Sequence, residues 1–125
     1  MDNYLASSEV DSTVLPPQPF AGDEPSVSTI PGSLLAGQNL AAGTVLMRDA
    51  ATGSFTKWVV GTAPAIAVLC HDIDATAGVT ACEVYIGGCF NTQWLTWPAG
   101  ITIPQKTAAF DGSKLVHRSL YYSFN

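Results

Sequence analysis

The chain has 125 residues, a formal net charge of −5 and only 12% charged residues. This length fits a single domain, and five Lys and Arg residues are too few for the clustered basic surface that binds nucleic acid. No run of about 18 apolar residues is present and the N-terminus lacks the basic and apolar regions of a secretory signal, so we predict neither a nucleic-acid partner nor a membrane span.

The first 31 residues differ in composition from the rest of the chain. They hold five of the eight prolines and no Lys, Arg or His, and they carry half of the ten acids: Asp2, Glu9, Asp11, Asp23 and Glu24. Residues 32–125 carry five acids and five bases. Because proline favours extended backbone, we predict an extended acidic arm over residues 1–31 and a separate domain over residues 32–125. Ser12–Leu15 and Ser26–Ile30 are the parts of the arm able to form strands.

The domain begins with glycine-rich turns over Gly32–Gly43. Thr44–Asp49 is predicted as a strand, with Val45, Met47 and Asp49 on one face and Leu46 and Arg48 on the other. Ser54–Val60 follows it across a glycine-bearing turn, which predicts a β-hairpin. Pro64–Ile73 is apolar on both faces as far as His71. Such a run is typical of a central, buried strand.

The next strand is predicted over Thr80–Asn91. Cys82, Val84 and Ile86 should share one face of it, with Glu83 and Tyr85 on the other. The pair Gly87–Gly88 indicates a bulge or a corner.

The last third of the chain should contain little helix. Asn91 is a plausible N-cap, and one helical turn after it would bring Trp94 and Trp97 side by side. Residues 101–113 allow at most one short helix, and a closing strand begins at Lys114. Together the short strands and Gly/Pro turns predict a mainly β fold, a small barrel-like domain behind an extended N-terminal arm.

Cys70–Asp74, with the sequence CHDID, is the stretch most similar to a catalytic or metal-binding cluster. His71 and the two aspartates have metal-ligand chemistry, and a His–Asp pair can act as a base. A position between a buried strand and a turn instead favours aspartates that accept turn N–H groups. The three cysteines lack C-x-x-C spacing, and small buried hydrophobes in a reducing compartment are the simplest interpretation. We therefore predict no enzyme, no metal and no cofactor.

Three tryptophans, Trp58, Trp94 and Trp97, allow two interpretations. One is a stacking platform in a carbohydrate- or peptide-binding module. The other is packing in the core or at a subunit interface, where tryptophan is common.

Several stretches, in order, carry a family resemblance: LAAGTVLMRDAATGSFTKWV, APAIAVLCHDIDATAG, VYIGGCFNTQWLTWPAGIT and QKTAAFDG. Over about two-thirds of the chain, Leu34 to Arg118, these resemble the head decoration proteins of lambda-type tailed phages. The resemblance implies a β-clip fold and a structural protein that binds as homotrimers at local threefold positions of the expanded head. It further implies a location on the outer surface of the virion after assembly in the host cytoplasm, and stabilisation of the shell against packaged DNA.

The resemblance also implies that the N-terminal arm adds a strand to the major capsid protein. Position and chemistry then give the expected capsid-binding residues: Ser12, Thr13, Val14, Leu15, Phe20, Ser26, Val27, Ser28, Thr29 and Ile30. Trp94 and Trp97 are expected in the trimer interface or in the core.

Overall fold

The computed structural model describes residues 18–119. Strands account for 42% of these residues and helix for 6%, which confirms the mainly β prediction. In chain order the elements are β1 (Phe20–Gly22), β2 (Ser28–Leu34), β3 (Asn39–Leu40), β4 (Val45–Arg48), β5 (Phe55–Lys57), β6 (Ala67–Leu69), β7 (Ile73–Asp74), β8 (Thr80–Asn91), α1 (Ile103–Ala108) and β9 (Lys114–Arg118).

Five strands close into a small barrel. The order is β8, β2, β5, β4 and β6, and pairing between β6 and β8 completes the circle. The pairs are antiparallel except for β2 with β5, which are parallel and meet at Leu34 and Phe55. The predicted hairpin is the antiparallel pair β4–β5, and the predicted central strand contains β6.

Strand β8 is the longest element, with 12 residues, and it extends beyond the barrel. Along one edge it pairs antiparallel with β2 and then with β1. Along the other it pairs with β6 and then, in parallel, with β9. Four strands therefore take their positions from β8.

Alternation along the strands creates two hydrophobic cores on opposite faces of the sheet. The inner core fills the barrel and includes Leu34, Leu46, Phe55 and Val84. The outer core lies beneath the segment that follows β8, and its buried members are Val45, Trp58, Ala65, Val68, Phe90, Leu95, Ala109, Phe110 and Leu115. The predicted faces of β8 are confirmed, because Cys82, Val84 and Ile86 belong to the inner core while Tyr85 packs against the outer one.

The irregularity predicted at Gly87–Gly88 is also present. Ser28 is opposite Gly87 whereas Thr29 is opposite Tyr85, so Ile86 is an extra residue in β8. A Cβ on Gly87 would lie 2.7 Å from the Ser28 hydroxyl oxygen, which explains why glycine occupies this position.

Residues 92–95 form a single turn and a bend. Asn91 caps this turn as predicted, because its Oδ1 accepts the Gln93 N–H and its carbonyl accepts the Trp94 N–H. The turn does not bring Trp94 and Trp97 side by side. Trp94 stacks on Phe90, and Trp97 contacts Phe110 and His117, so the two indoles have different partners. The short helix allowed by the sequence is α1, which begins with a capping box between Thr102 and Gln105.

Strand β2 crosses the boundary predicted between residues 31 and 32. Residues 20–34 run alongside β8 and leave it only over residues 23–27. The described part of the predicted arm is thus paired with the β domain, whereas residues 1–17 lie outside the described residues. Composition did not reveal this pairing, because the partner strand lies about 50 positions further along the sequence.

Gly32 provides a test of inner-core packing. A Cβ at this position would lie 2.6 Å from Cε2 of the buried Phe55 ring, so we expect Gly32→Ala to lower the free energy of unfolding by about 1–3 kcal/mol. Gly78→Ala is the matched control, since its Cβ would meet nothing within 4 Å. Urea denaturation checks both variants, and equal midpoints for the two would contradict the packing described here.

Candidate functional site

The N-terminal segment enters the domain beside the end of β8, at a fully buried asparagine. The Asn91 backbone N–H donates to the Pro19 carbonyl at 2.8 Å, and its side-chain Nδ2 donates to the Gln18 carbonyl at 2.9 Å. Its Oδ1 accepts the Gln93 N–H at 3.2 Å. A buried amide with donor and acceptor both engaged fixes Gln18 and Pro19 against the end of β8.

A second contact holds the same segment from the far side of β8. Arg118, on β9, donates from Nε and Nη2 to the Ala21 carbonyl of β1 at 3.1 and 2.7 Å. The guanidinium group therefore crosses β8 and links β9 to β1, the strands on either side of it. Hydrogen bonds from a charged donor are stronger than neutral ones, so this contact reinforces the β1–β8 pairing.

Aromatic packing completes the attachment. The Phe20 ring lies 5.6 Å from Tyr85 and 5.2 Å from Phe90, centroid to centroid. Ile30 packs against the inner core. Both belong to the residues expected to bind the capsid, and both are half-buried against the chain's own cores.

The other described arm residues form an exposed surface, which we call the arm base and define as residues 23–29. It includes the exposed acids Asp23 and Glu24, a cis peptide bond before Pro25, and Val27, which is 48% exposed. Ser26, Ser28 and Thr29 are exposed as well, and the Thr29 hydroxyl donates to Glu83 at 2.9 Å. The remaining predicted contact residues, Ser12–Leu15, lie outside the described part of the chain.

Strand β2 pairs with β5 only at Leu34, so residues 28–33 present an edge without a strand partner in the described structure. Pro31 lies in the middle of this stretch and cannot donate a backbone hydrogen bond. A proline on an open edge limits pairing with other chains. This edge is therefore a poor continuous template for an added strand.

A half-buried histidine, His117, lies beside the outer core and contacts its ring residues. Its Nε2 is 2.7 Å from the Lys106 carbonyl, which can only accept, so Nε2 carries the proton and Nδ1 accepts the Thr92 hydroxyl at 2.8 Å. The Trp97 ring lies 4.9 Å away, and its Nε1 donates to the Thr92 carbonyl. Burial lowers the pKa of His117 below its usual value, and the Lys106 charge lowers it further against the opposing hydrogen bond to the Lys106 carbonyl.

The three tryptophans are packed against protein. Trp58 is 5% exposed and donates from Nε1 to the Ala63 carbonyl at 2.8 Å. Trp94 and Trp97 are half-buried against the outer core. Trp58 is thus a core residue, while Trp94 and Trp97 pack against the outer core with separate ring partners.

The CHDID stretch has the turn chemistry that its position indicated. Asp72 accepts the Ala42 N–H at 2.8 Å, and Asp74 accepts the N–H and hydroxyl of Thr76, which lowers the pKa of Asp74. Residues 18–119 contain no group of three His, Cys, Asp or Glu side chains able to hold a metal ion. All three cysteines are free, and burial followed by the Glu83 charge raises the pKa of Cys70 to about 11.

Helix α1 is too short to cross a bilayer, and no other helix occurs in the described residues. The model of the bacteriophage lambda head decoration protein D family matches residues 13–118. No curated protein sequence matches the chain. Because the family match covers most of the sequence, the chain belongs to this family, as the resemblance of its motifs predicted. It is a structural phage protein associated with the capsid.

Replacing Asn91 tests the attachment of the N-terminal segment. Asn91→Ala leaves the Gln18 carbonyl and the Gln93 N–H without this partner, so we expect the free energy of unfolding to fall by about 1–3 kcal/mol. Gln93→Ala, which removes an exposed side chain that reaches Ser119, is the control and should change it by less than about 0.5 kcal/mol. Chemical denaturation compares the two, and a neutral Asn91→Ala would exclude the anchoring role.

His117 predicts a pH dependence of stability. Its pKa is lower in the folded chain than in the unfolded chain, so the unfolded state takes up a proton first as pH falls below about 6.5. The melting temperature should therefore decrease between pH 7.5 and 5.5. His117→Gln should remove much of this decrease, while His71→Gln, a change at the other, exposed histidine, should leave it. The same pH dependence in both variants would refute the assignment to His117.

Proposed function

We propose that this head decoration protein binds as a homotrimer at local threefold positions of the expanded phage head and stabilises the shell against packaged DNA. The major capsid protein is the partner, and the site of action is the outer surface of the virion after assembly in the host cytoplasm. The family match over residues 13–118 carries this proposal. It includes the whole described barrel and part of the segment that precedes it.

The N-terminal segment supplies the grip on the shell. Ser12–Leu15 adds as a strand to an exposed strand edge of the major capsid protein, the β-augmentation mode of recognition. Each trimer carries three such segments, and after the first has bound the others act at high effective concentration. A ligand that binds only the expanded shell stabilises that state by mass action.

The contacts around Asn91 support this mechanism. A pull on residue 17 passes first to Gln18 and Pro19, which hydrogen-bond to Asn91, and then to β1 and β2 along β8. Because β1 and β2 lie along the same edge of β8, tension parallel to the strands is shared among many ladder hydrogen bonds. A force from the shell is therefore distributed over many hydrogen bonds before it reaches the barrel, and it does not depend on one weak contact.

The arm base provides a second contact region near Gln18 and Pro19, where the described residues begin. Its acids, Asp23 and Glu24, and the exposed Val27 fit a capsid surface that is basic or neutral with an apolar patch. Electrostatic complementarity of this kind favours correct encounter and orientation.

Shortening the N-terminal segment tests the proposal. Deleting residues 1–17 leaves β1, β2 and their pairing with β8 intact, so we expect an unchanged melting temperature and at least about tenfold weaker binding to expanded shells. A deletion through residue 31 would remove β1 and half of β2, and so is unsuitable. Binding is measured by cosedimentation with expanded shells.

A proline scan provides the matched control. Thr13→Pro removes a backbone donor within the predicted strand and should weaken shell binding, whereas Ala6→Pro lies outside it and should not. Full affinity of both the deletion and Thr13→Pro would exclude Ser12–Leu15 as the capsid-binding strand.

A further inference from the structure

The first and last described residues lie at the same end of β8. Asn91, the last residue of this strand, donates from its side chain to the Gln18 carbonyl and is opposite Arg118 in the β8–β9 register. The Gln93 side chain donates to the Ser119 hydroxyl. Because Gln18 precedes β1 and Ser119 follows β9, which pair with opposite edges of β8, the two residues are roughly 10 Å apart at ordinary strand spacing. We call this part of the domain, with Gln18, Asn91, Gln93 and Ser119, the Asn91 end.

The proposed capsid-binding strand, Ser12–Leu15, is close in sequence to the Asn91 end. Two prolines separate Leu15 from Gln18, and three residue steps span at most about 11 Å. A barrel that is held on the shell by Ser12–Leu15 must therefore present its Asn91 end to the capsid protein. The exposed side chains of Gln18 and Gln93 suit such a contact, because uncharged amides cost less to desolvate than ions.

Residues 120–125, which we call the aromatic segment, have the composition of a protein contact. Their sequence is LYYSFN, with three aromatic residues and no charged side chain. Tyrosine and phenylalanine are enriched in protein interfaces, where each buries a large apolar area. Six extended residues span about 20 Å. From Ser119 the aromatic segment can therefore reach the capsid surface that faces the Asn91 end.

The family fold ends before the aromatic segment. The family model matches residues 13–118, and every residue of β9 up to Arg118 already pairs with β8. The outer core beneath β9 is closed as well, since Phe110 and Leu115 are at most 5% exposed. The aromatic segment is thus an addition to the part of the chain that forms the family fold, which favours a role in binding over a role in folding.

We propose that the aromatic segment is a second shell-binding element, in which Tyr121, Tyr122 and Phe124 pack against an apolar surface of the major capsid protein. That surface lies next to the strand edge to which Ser12–Leu15 adds. Backbone pairing of Ser12–Leu15 sets the register on the shell, while the aromatic side chains bury apolar area. Two contacts joined through one domain act at high effective concentration. The inference rests on the proposed function, because it assigns a further part of the same shell contact.

Truncation after Ser119 tests the inference by cosedimentation with expanded shells. The truncated chain should bind at least about tenfold more weakly than the full chain, with the same melting temperature and the same mass in solution. A lower melting temperature would assign the aromatic segment to its own domain, and a changed mass would assign it to a contact between copies of the chain. Either result would overturn the inference.

Shell binding by the full chain separates this inference from the proposed function. If the full chain binds expanded shells and the truncated chain binds equally well, the inference fails and the proposed function stands. If the full chain does not bind expanded shells, both fail.

Point variants separate the aromatic side chains from the backbone of the segment. Replacing Tyr121, Tyr122 and Phe124 together by alanine should reproduce the loss of shell affinity. Ser123→Ala combined with Asn125→Ala is the matched control and should bind as the full chain does. Equal affinities of the two variants would exclude the aromatic side chains as the source of the contact.

Photo-cross-linking identifies the partner of the segment. Benzoylphenylalanine in place of Tyr122 should link to the major capsid protein on expanded shells. The same group in place of Val79, which is 59% exposed and precedes the opposite end of β8, should not. A link from position 122 to another copy of the chain, or equal capsid links from both positions, would contradict the inference.

Discussion

The pairing of β8 with its neighbours is the constraint on which the rest of the structure depends. Its first half closes the barrel between β2 and β6, and its second half holds β1 and β9. A shift of one residue in this register would exchange Val84 with its neighbours and bring an exposed glutamate, Glu83, into the barrel. The buried alternation of β8 therefore fixes the position of the N-terminal segment as well as the fold.

This arrangement connects packing to the proposed role on the capsid. A decoration protein that holds a shell through its N-terminal segment must transfer load from that segment to a stable core. Here the segment joins β8 at the fully buried Asn91 and is held again through Arg118 and Phe20. Of these contacts, the Phe20 ring also packs against the outer core, which connects the segment to that core.

The sequence predicted the parts of the fold that depend on local pattern. The glycine-bearing turn between two β-forming stretches identified the β4–β5 hairpin. Alternation identified the faces of β8, and the glycine pair indicated the bulge at Ile86. The ordered motifs identified the family. The turn capped by Asn91 was predicted, but the separation of Trp94 from Trp97 was not, because the two indoles find their ring partners on different segments of the chain. The pairing of residues 20–34 with β8 was missed because proline and acid content describes local preference and does not reveal a distant strand partner.

Other features of the candidate site had no local signal. Arg118 and Ala21 are 97 positions apart, and the bonds from His117 to Thr92 and Lys106 join three separate segments. Single-residue chemistry identifies these side chains as able to form hydrogen bonds, but their partners follow only from the three-dimensional pairing of β8 and β9.

Native-state hydrogen exchange along β8 tests most directly whether this strand joins the N-terminal segment and the barrel into one cooperative unit. Exchange of the β8 amides is measured at increasing denaturant, and the opening free energies of its two halves are compared. If β8 acts as one unit, protected amides in residues 80–85 and 87–91 share the free energy of global unfolding. Opening of residues 87–91 at a clearly lower free energy, with the barrel intact, would contradict this conclusion.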